Sequence, residues 1–309
     1  MPNTLVDHGA VPDRVAELNN QWKPVDLRPS ALIEASPYQA CASRPLPEGE
    51  GVTAETTVMI LTYNEAPNIG RTLEKLLWAR RVLVVDSFST DETLAVAKRF
   101  PNVDVIQRRF DSFASQCNFG LAHIRSEWVL SLDADYVLSD ELCNEIANLS
   151  PNDEVQGFRA NFRYCVWGKP LRATLYPPRT VLYRKDRAVY RNDGHGHRVV
   201  IDGSTRMLSG CIDHDDRKSF ERWLAEQGRY AIAESRKLAE TPSDAMNWPD
   251  RLRRWIVAAP LVVFLYTLFL KGLIFDGWRG WYYVLQRTLA EIVLSLRLIE
   301  TKLSPRQSQ

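Results

Sequence analysis

The feature that most narrows the fold is an alternation repeated four times between residues 57 and 149, a short apolar run followed by a stretch of helical character. The pairs are TVMILT with 67–78, RVLVVD with 90–100, VDVIQ with 112–124, and EWVLSLDAD with 139–149. Strands that alternate with helices pair in parallel through crossovers, which predicts a Rossmann-like α/β sheet. Pro67 suits a first helical position, and Ser89 followed by Glu92 fits a capping box. Past residue 155 the rhythm breaks into strand-like segments, GFRANFRYCVW, RTVLYR and HRVVIDG, punctuated by Gly and Pro. These predict a second, mixed half of the same domain.

The flanks read differently. Residues 1–55 are rich in Pro, Asn, Ser and Glu with little periodicity, as in a loosely ordered arm, and they carry no basic start followed by an apolar signal segment. After Arg217 the pattern is helical, so the division is an arm over 1–55, a catalytic-type α/β domain over 56–217 and a helical region over 218–309. Net charge is only +1, which gives no general field for collecting nucleic acid. That balance is uneven, because residues 251–309 hold nine Arg or Lys against three Asp or Glu. The same tail contains a 16-residue uncharged run, 255–270, close to the ~20 residues that span a bilayer. With RLRR ahead of it, Trp and Tyr around it and an amphipathic helix behind it, the expectation is an interfacial or re-entrant hairpin in contact with membrane lipids. In that last helix Arg287, Glu291 and Ser295 share one stripe, and Leu285, Leu289, Ile292, Leu296 and Ile299 lie elsewhere. Five widely spaced cysteines without a CxxC pair indicate neither a disulfide framework nor a zinc ribbon.

In open α/β sheets ligands bind outside the carboxyl ends of the strands, so chemistry is sought where each apolar run stops. There lie Thr62, Tyr63, Asn64 and Glu65, then Asp86, then Asp133 and Asp135. The first turn, TYNEAPNIG, has no GxGxxG, against NAD or FAD, and it lacks the glycine loop of a sugar nucleotidyltransferase. Asp86 stands where a carboxylate can accept ribose or base hydrogen bonds; a helix-capping aspartate is the bland alternative. Carboxylates at i and i+2 of a buried strand end can hold Mg²⁺ or Mn²⁺ by one or two oxygens while phosphates and water complete the shell. A bare DxD arises about once by chance in a chain of ordinary composition, so the context supplies the specificity.

Taken together, TYNEAPNIGRTLEKLLW, VLVVDSFSTDETLAVAKRF and FASQCNFGLAHIRSEWVLSLDAD resemble the family 2 glycosyltransferases of GT-A fold. Later segments, from GFRANFRYCVWGK to GLIFDGWRGWYYVLQR, are similar to its lipopolysaccharide core subgroup. The resemblance implies an inverting transfer from a nucleotide-diphosphate sugar, a UDP-sugar foremost, to a lipid-linked or glycolipid acceptor at the cytoplasmic face of the inner membrane. It further implies Asp86 on the nucleoside, Asp133 near the ribose or donor sugar, Asp135 on the metal and His214 as a third metal or diphosphate contact. Thr62, Asn64 and Glu65 fall in the same donor site. Phe88 departs from the pattern where many members carry Gly, and Cys117 occupies a position often basic.

Inversion by direct displacement needs a base to take the acceptor hydroxyl proton. Asp193, in the Gly-flanked loop RNDGHGHR, is the candidate, with His195 and His197 as alternatives and a turn-forming Asp-Gly as the bland reading. ERW at 221–223 is similar to the QxxRW of processive synthases, but the Gln is absent, and processive polymerisation is disfavoured. The competing functions are a catalytically idle, membrane-docked sugar-nucleotide scaffold and a sugar nucleotidyltransferase.

Overall fold

A computed structural model describes residues 52–150, 154–193 and 196–303; the expected arm lies outside them up to residue 51. The first half follows the alternation: β1 (Thr56–Thr62), α1 (Ile69–Glu74), β2 (Arg81–Asp86), α2 (Thr93–Ala97), β3 (Val103–Gln107), α3 (Phe113–Ala122) and β4 (Trp128–Asp133). Strands β1, β2, β3 and β4 pair in parallel. Their apolar runs are buried because helices cover both faces: Val58, Ile60, Val82 and Val84 belong to one core, Met59, Leu83 and Val85 to the other.

Two helix starts differ from expectation. The first helix begins at Ile69, and Pro67 lies in the preceding turn, where the N–H groups of Asn68 and Ile69 both donate to the Glu65 carbonyl. The expected Ser89–Glu92 box does not form. Ser89 instead donates through its backbone N–H and its hydroxyl to Asp86, and α2 starts at Thr93 without a side-chain cap. By contrast Ser112 and Ser139 cap the helices they precede, accepting from the N–H groups of Ser115 and Leu142.

The mixed half comprises β5 (Tyr136–Leu138), α4 (Asp140–Ala147), β6 (Val155–Val166), β7 (Lys169–Pro170), β8 (Arg179–Arg184), β9 (Ala188–Asp193), β10 (Gly196–Ile201) and β11 (Ser204–His214). The main sheet runs β3-β2-β1-β4-β8-β6-β11-β5, with β7 on β6, while β9 and β10 form a separate antiparallel pair. One register places the site: β11 lies antiparallel to β5 with His214 opposite Tyr136, so the end of β11 meets the turn that carries Asp135.

After β11 the α-helices are α5 (Phe220–Glu240), α6 (Trp248–Arg253), α7 (Ala258–Leu265) and α8 (Gly277–Leu303). The apolar run 255–270 is not one helix, since it includes a turn after α6, α7 and a π-helical turn at Tyr266–Leu270, with Gly272 beyond it in the left-handed region. At Gly280 a Cβ would lie 1.9 Å from the Leu273 carbonyl oxygen, so only glycine lets α8 approach the preceding turn. Helix α8 has its polar stripe turned inward. Glu291 pairs with Arg253 at 3.0 Å, the Ser295 hydroxyl donates to the Ile256 carbonyl, and Gln286 is buried. Trp278, Leu285, Ile292, Leu296 and Leu303, spaced by seven or four, are exposed. Among the described residues no single helix is long and apolar enough to cross a bilayer; Ala258–Leu270 with Leu273–Leu303, bent by 70°, has the length and composition together.

Candidate active site at the carboxyl edge of the sheet

The ends of β1 and β2 are knitted into one platform. Asp86 is fully buried, and its carboxylate accepts from the Thr62 hydroxyl (3.0 Å), the Ser89 N–H (2.9 Å), the Ser89 hydroxyl and the Gln107 amide (3.0 Å). Both oxygens are thus engaged within the protein, and a nucleoside contact by Asp86 would require one of these donors to turn away. Asn64, at φ 55°, accepts the Thr90 N–H through its side chain and donates its own N–H to Ser89. Arg222, from the ERW of α5, donates to the carbonyls of Tyr63 and Asn64. Phe88 stands at φ 62°, a conformation that costs a non-glycine residue roughly 1–2 kcal/mol, which explains why glycine suits that position.

A second cluster gathers around Asp135. His214 Nε2 lies 3.2 Å from its carboxylate, and the imidazole is ringed by Tyr136, Tyr164 and Tyr176 at 5.0–5.2 Å. Burial alone would raise the Asp135 carboxyl, but His214 and the nearby Lys218 ammonium outweigh it and hold the group below the usual carboxylate range. Lys218 sits 2.9 Å from Glu65 and 3.5 Å from Asp216. Burial pushes the Glu65 carboxyl up to about 7 against the pull of Lys218, with Asp135 adding to the rise. Burial would likewise lower Lys218, yet Asp135, Glu65 and Asp216 hold it charged. The neighbouring Asp215 is 3% exposed and pairs with Arg71 and Arg217, both at 2.8 Å, while accepting the Gly168 N–H.

Asp133 faces a different space. It lines a cleft of about 410 Å³ together with Asp193, His197, Arg159, Arg179 and Arg198. Asp193 ends β9 and is held by Arg198 at 3.0 Å and Lys237 at 3.1 Å. His197 stacks on Phe113 and lies tilted against Tyr190, and burial depresses its pKa, so it faces the cleft as a neutral ring. His195 lies outside the described residues.

The fold therefore brings Glu65, Asp135 and His214 into one cluster and Asp133 and Asp193 into one cleft, while Thr62, Asn64 and Asp86 form the platform of the neighbouring turns. Sequence reasoning missed Lys218, Arg222 and Arg179. Lys218 closes the segment HDDRK that begins at His214, and Arg222 stood in ERW; Arg179 had no local signal beyond following Pro177 and Pro178.

Residues 57–231 match the model of Glycosyl transferase family 2. Uncharacterized glycosyltransferase RC0292 of Rickettsia conorii is 33% identical over 214 residues, covering 64% of this chain and 76% of that protein. Lipopolysaccharide core biosynthesis glycosyltransferase LpsC of Rhizobium meliloti is 26% identical over 237 residues, 72% of this chain and 82% of that protein. Among solved structures, mannosyltransferase PcManGT from Pyrobaculum calidifontis, in complex with GDP-Man and Mn²⁺, covers 87% of this chain and 93% of its own at 16% identity, with a TM-score of 0.48. With more than half of its length matched by the family model, and with the strand-end carboxylates arranged as described, this chain belongs to glycosyl transferase family 2.

Proposed function

We propose that this enzyme transfers one sugar, with inversion, from a nucleotide-diphosphate donor to a hydroxyl of a lipid-linked or envelope-glycan acceptor at the cytoplasmic membrane face. The observation that carries the chemistry is the Asp135–His214 contact at the end of β4, with the Lys218 ammonium beside it. In the transfer, the acceptor oxygen bonds to the anomeric carbon as the bond from that carbon to the diphosphate oxygen breaks. The hydroxyl proton passes to a group in the cleft, for which Asp193 is the candidate and His197 the alternative.

The donor set suits a hard divalent cation. Asp135 is ionised, Asp133 lies two residues away, and His214 has a buried Nδ1 with no partner. Among the described residues no three His, Cys, Asp or Glu converge to hold a metal, so a cation here would take Asp135 with His214, or Asp133, as its protein ligands and draw the rest of its shell from phosphate oxygens and water, as Mg²⁺ and Mn²⁺ do. When bound, Mg²⁺ or Mn²⁺ would neutralise charge on the departing diphosphate. Lys218 supplies a fixed positive charge near the same carboxylate, and Arg222 and Asn64 keep the first turn in place.

The membrane part of the reading rests on α8, whose Glu291 and Ser295 find partners inside while Trp278, Leu285, Ile292 and Leu296 face out. Burial of a large apolar side chain contributes about 1.5–3 kcal/mol, and each Arg or Lys near anionic lipid about 1 kcal/mol. Arg251, Arg254, Lys271 and Arg279 provide charges in the same region. The test of the chemistry is Asp135→Asn. Nucleoside diphosphate release from a UDP-sugar should fall at least a hundredfold with the fold intact, and excess EDTA should do the same to the wild type. Full turnover in either condition would refute the metal-assisted reading.

A further inference from the structure

The cleft beside Asp133 is lined by more arginines than carboxylates, Arg159, Arg179 and Arg198 against Asp133 and Asp193. Its volume, about 410 Å³, is within the range that accepts a small ligand. Of its charged residues, Asp193 and Arg198 satisfy each other at 3.0 Å, and the other Asp193 oxygen is taken by Lys237. His197 is kept neutral by burial. That leaves Arg159 and Arg179 facing Asp133, and neither guanidinium has an ion-pair partner within 4.0 Å among the described residues.

Arg179 is the more informative of the two. It is half-buried, the first residue of β8, and it follows Pro177 and Pro178, whose rings fix the backbone that presents it. Its guanidinium lies 4.4 Å from the centre of the Tyr176 ring, a contact that holds the group in place without using its hydrogen-bond donors. The carboxylates of Asp133 and Asp135 nearby keep the group charged against its partial burial, and a guanidinium immobilised in this way with its donors unspent is placed to receive an anion. Lys218 already serves the Asp135 side of the strand end. Tyr136, Phe162 and His197 add ring edges to the lining.

We propose that this cleft binds an anionic saccharide, so that the acceptor carries a phosphate or carboxylate close to the hydroxyl that is glycosylated, with Arg179 as its principal anchor and Arg159 as a second contact. The inference rests on the transferase reading and names the acceptor class within it.

The test uses the full-length protein saturated with UDP, which fills the diphosphate position. Methyl glucoside, glucose 6-phosphate and glucuronate are titrated by NMR or calorimetry. Glucose 6-phosphate and glucuronate should bind in the millimolar range, roughly tenfold or more tighter than methyl glucoside, the scale of one or two hydrogen bonds to a charged group. Arg179→Gln should erase that preference with UDP affinity unchanged, and Arg179→Lys, which keeps the charge, should retain part of it. Equal binding of the three probes, no binding of the anionic ones, or an Arg179→Gln variant that loses UDP and glucose 6-phosphate alike would overturn the proposal, the last by assigning Arg179 to the donor diphosphate. Failure of the wild type to bind either UDP or GDP would overturn the transferase reading and this inference with it; nucleotide binding without a charge preference overturns the inference alone.

Discussion

Asp215 sits between the two residues proposed to act on the donor, His214 and Lys218, and the structure makes it framework rather than reagent. Its carboxylate accepts from Arg71 and Arg217 and from the Gly168 N–H, with 3% of the residue exposed. In Asp215→Asn the amide oxygen can still accept from Gly168, but two charge-assisted bonds lose their charge and two guanidiniums lose their counter-ion. Hydrogen bonds to charged groups contribute about 1.5–3 kcal/mol each, and breaking a fully buried pair costs about 3–5 kcal/mol. The Arg71 and Arg217 side chains are 22% and 33% exposed, so water recovers part of that loss. A net cost of about 2–4 kcal/mol results, or roughly 5–12 °C in Tm for a domain of this size. Thermal and urea unfolding of the wild type and the variant would measure it. A variant that melts with the wild type yet releases no nucleoside diphosphate would refute the reasoning, since it would place Asp215 in the chemistry.

Glu65 gives a pH signature. Its carboxyl, raised to about 7 by burial, keeps a proton in the folded state that the unfolded chain releases near pH 4.3, so its contribution to stability is present in acid and lost as pH rises through about 7. Melting temperature should therefore fall from about pH 4.5 to about pH 7 and level off above, and Glu65→Gln should flatten that slope; identical slopes would refute it. Asp193→Asn should lower turnover by ~10² to 10⁴ with donor affinity unchanged. If that variant is near wild type while His197→Ala is inactive, the proton acceptor is His197. For the helical region, membrane-bound protein should resist high salt and leave in detergent, and Leu285→Glu with Leu296→Glu should release it; retention of that double variant would remove α8 from the contact.

The parallel half of the sheet was legible because burial on both faces writes itself into the sequence as unbroken apolar runs, and the carboxylates that end those runs are where the alternation placed them. The mixed half was legible only in part. Strand β11 is exposed along most of its first half, so Ser204–His214 offered no periodic signal, and β9 is too polar to announce itself. The Ser89–Glu92 box failed for a physical reason. A serine hydroxyl beside a buried carboxylate is worth more as a donor to Asp86 than as a cap for a five-residue helix.

The site was readable one residue at a time and unreadable as an assembly. Glu65 and Lys218 are separated by more than 150 positions, and their meeting depends on β11 returning beside β5 and delivering HDDRK to the first turn. No local pattern encodes that return, so neither the burial that raises Glu65 nor the Lys218 contact that opposes it could be inferred from either motif. The helical region gives the converse case, because its amphipathic pattern was visible while its direction was not. In a helix packed only against its own protein, Glu291 and Ser295 would face water and Leu285 and Leu296 would face the core. Here Arg253, from α6, and the Ile256 carbonyl, from the turn that follows it, supply the polar stripe with partners, which frees the apolar stripe to face outward. The distribution of hydrogen-bond partners, rather than hydropathy alone, thus decides which face of α8 is left exposed.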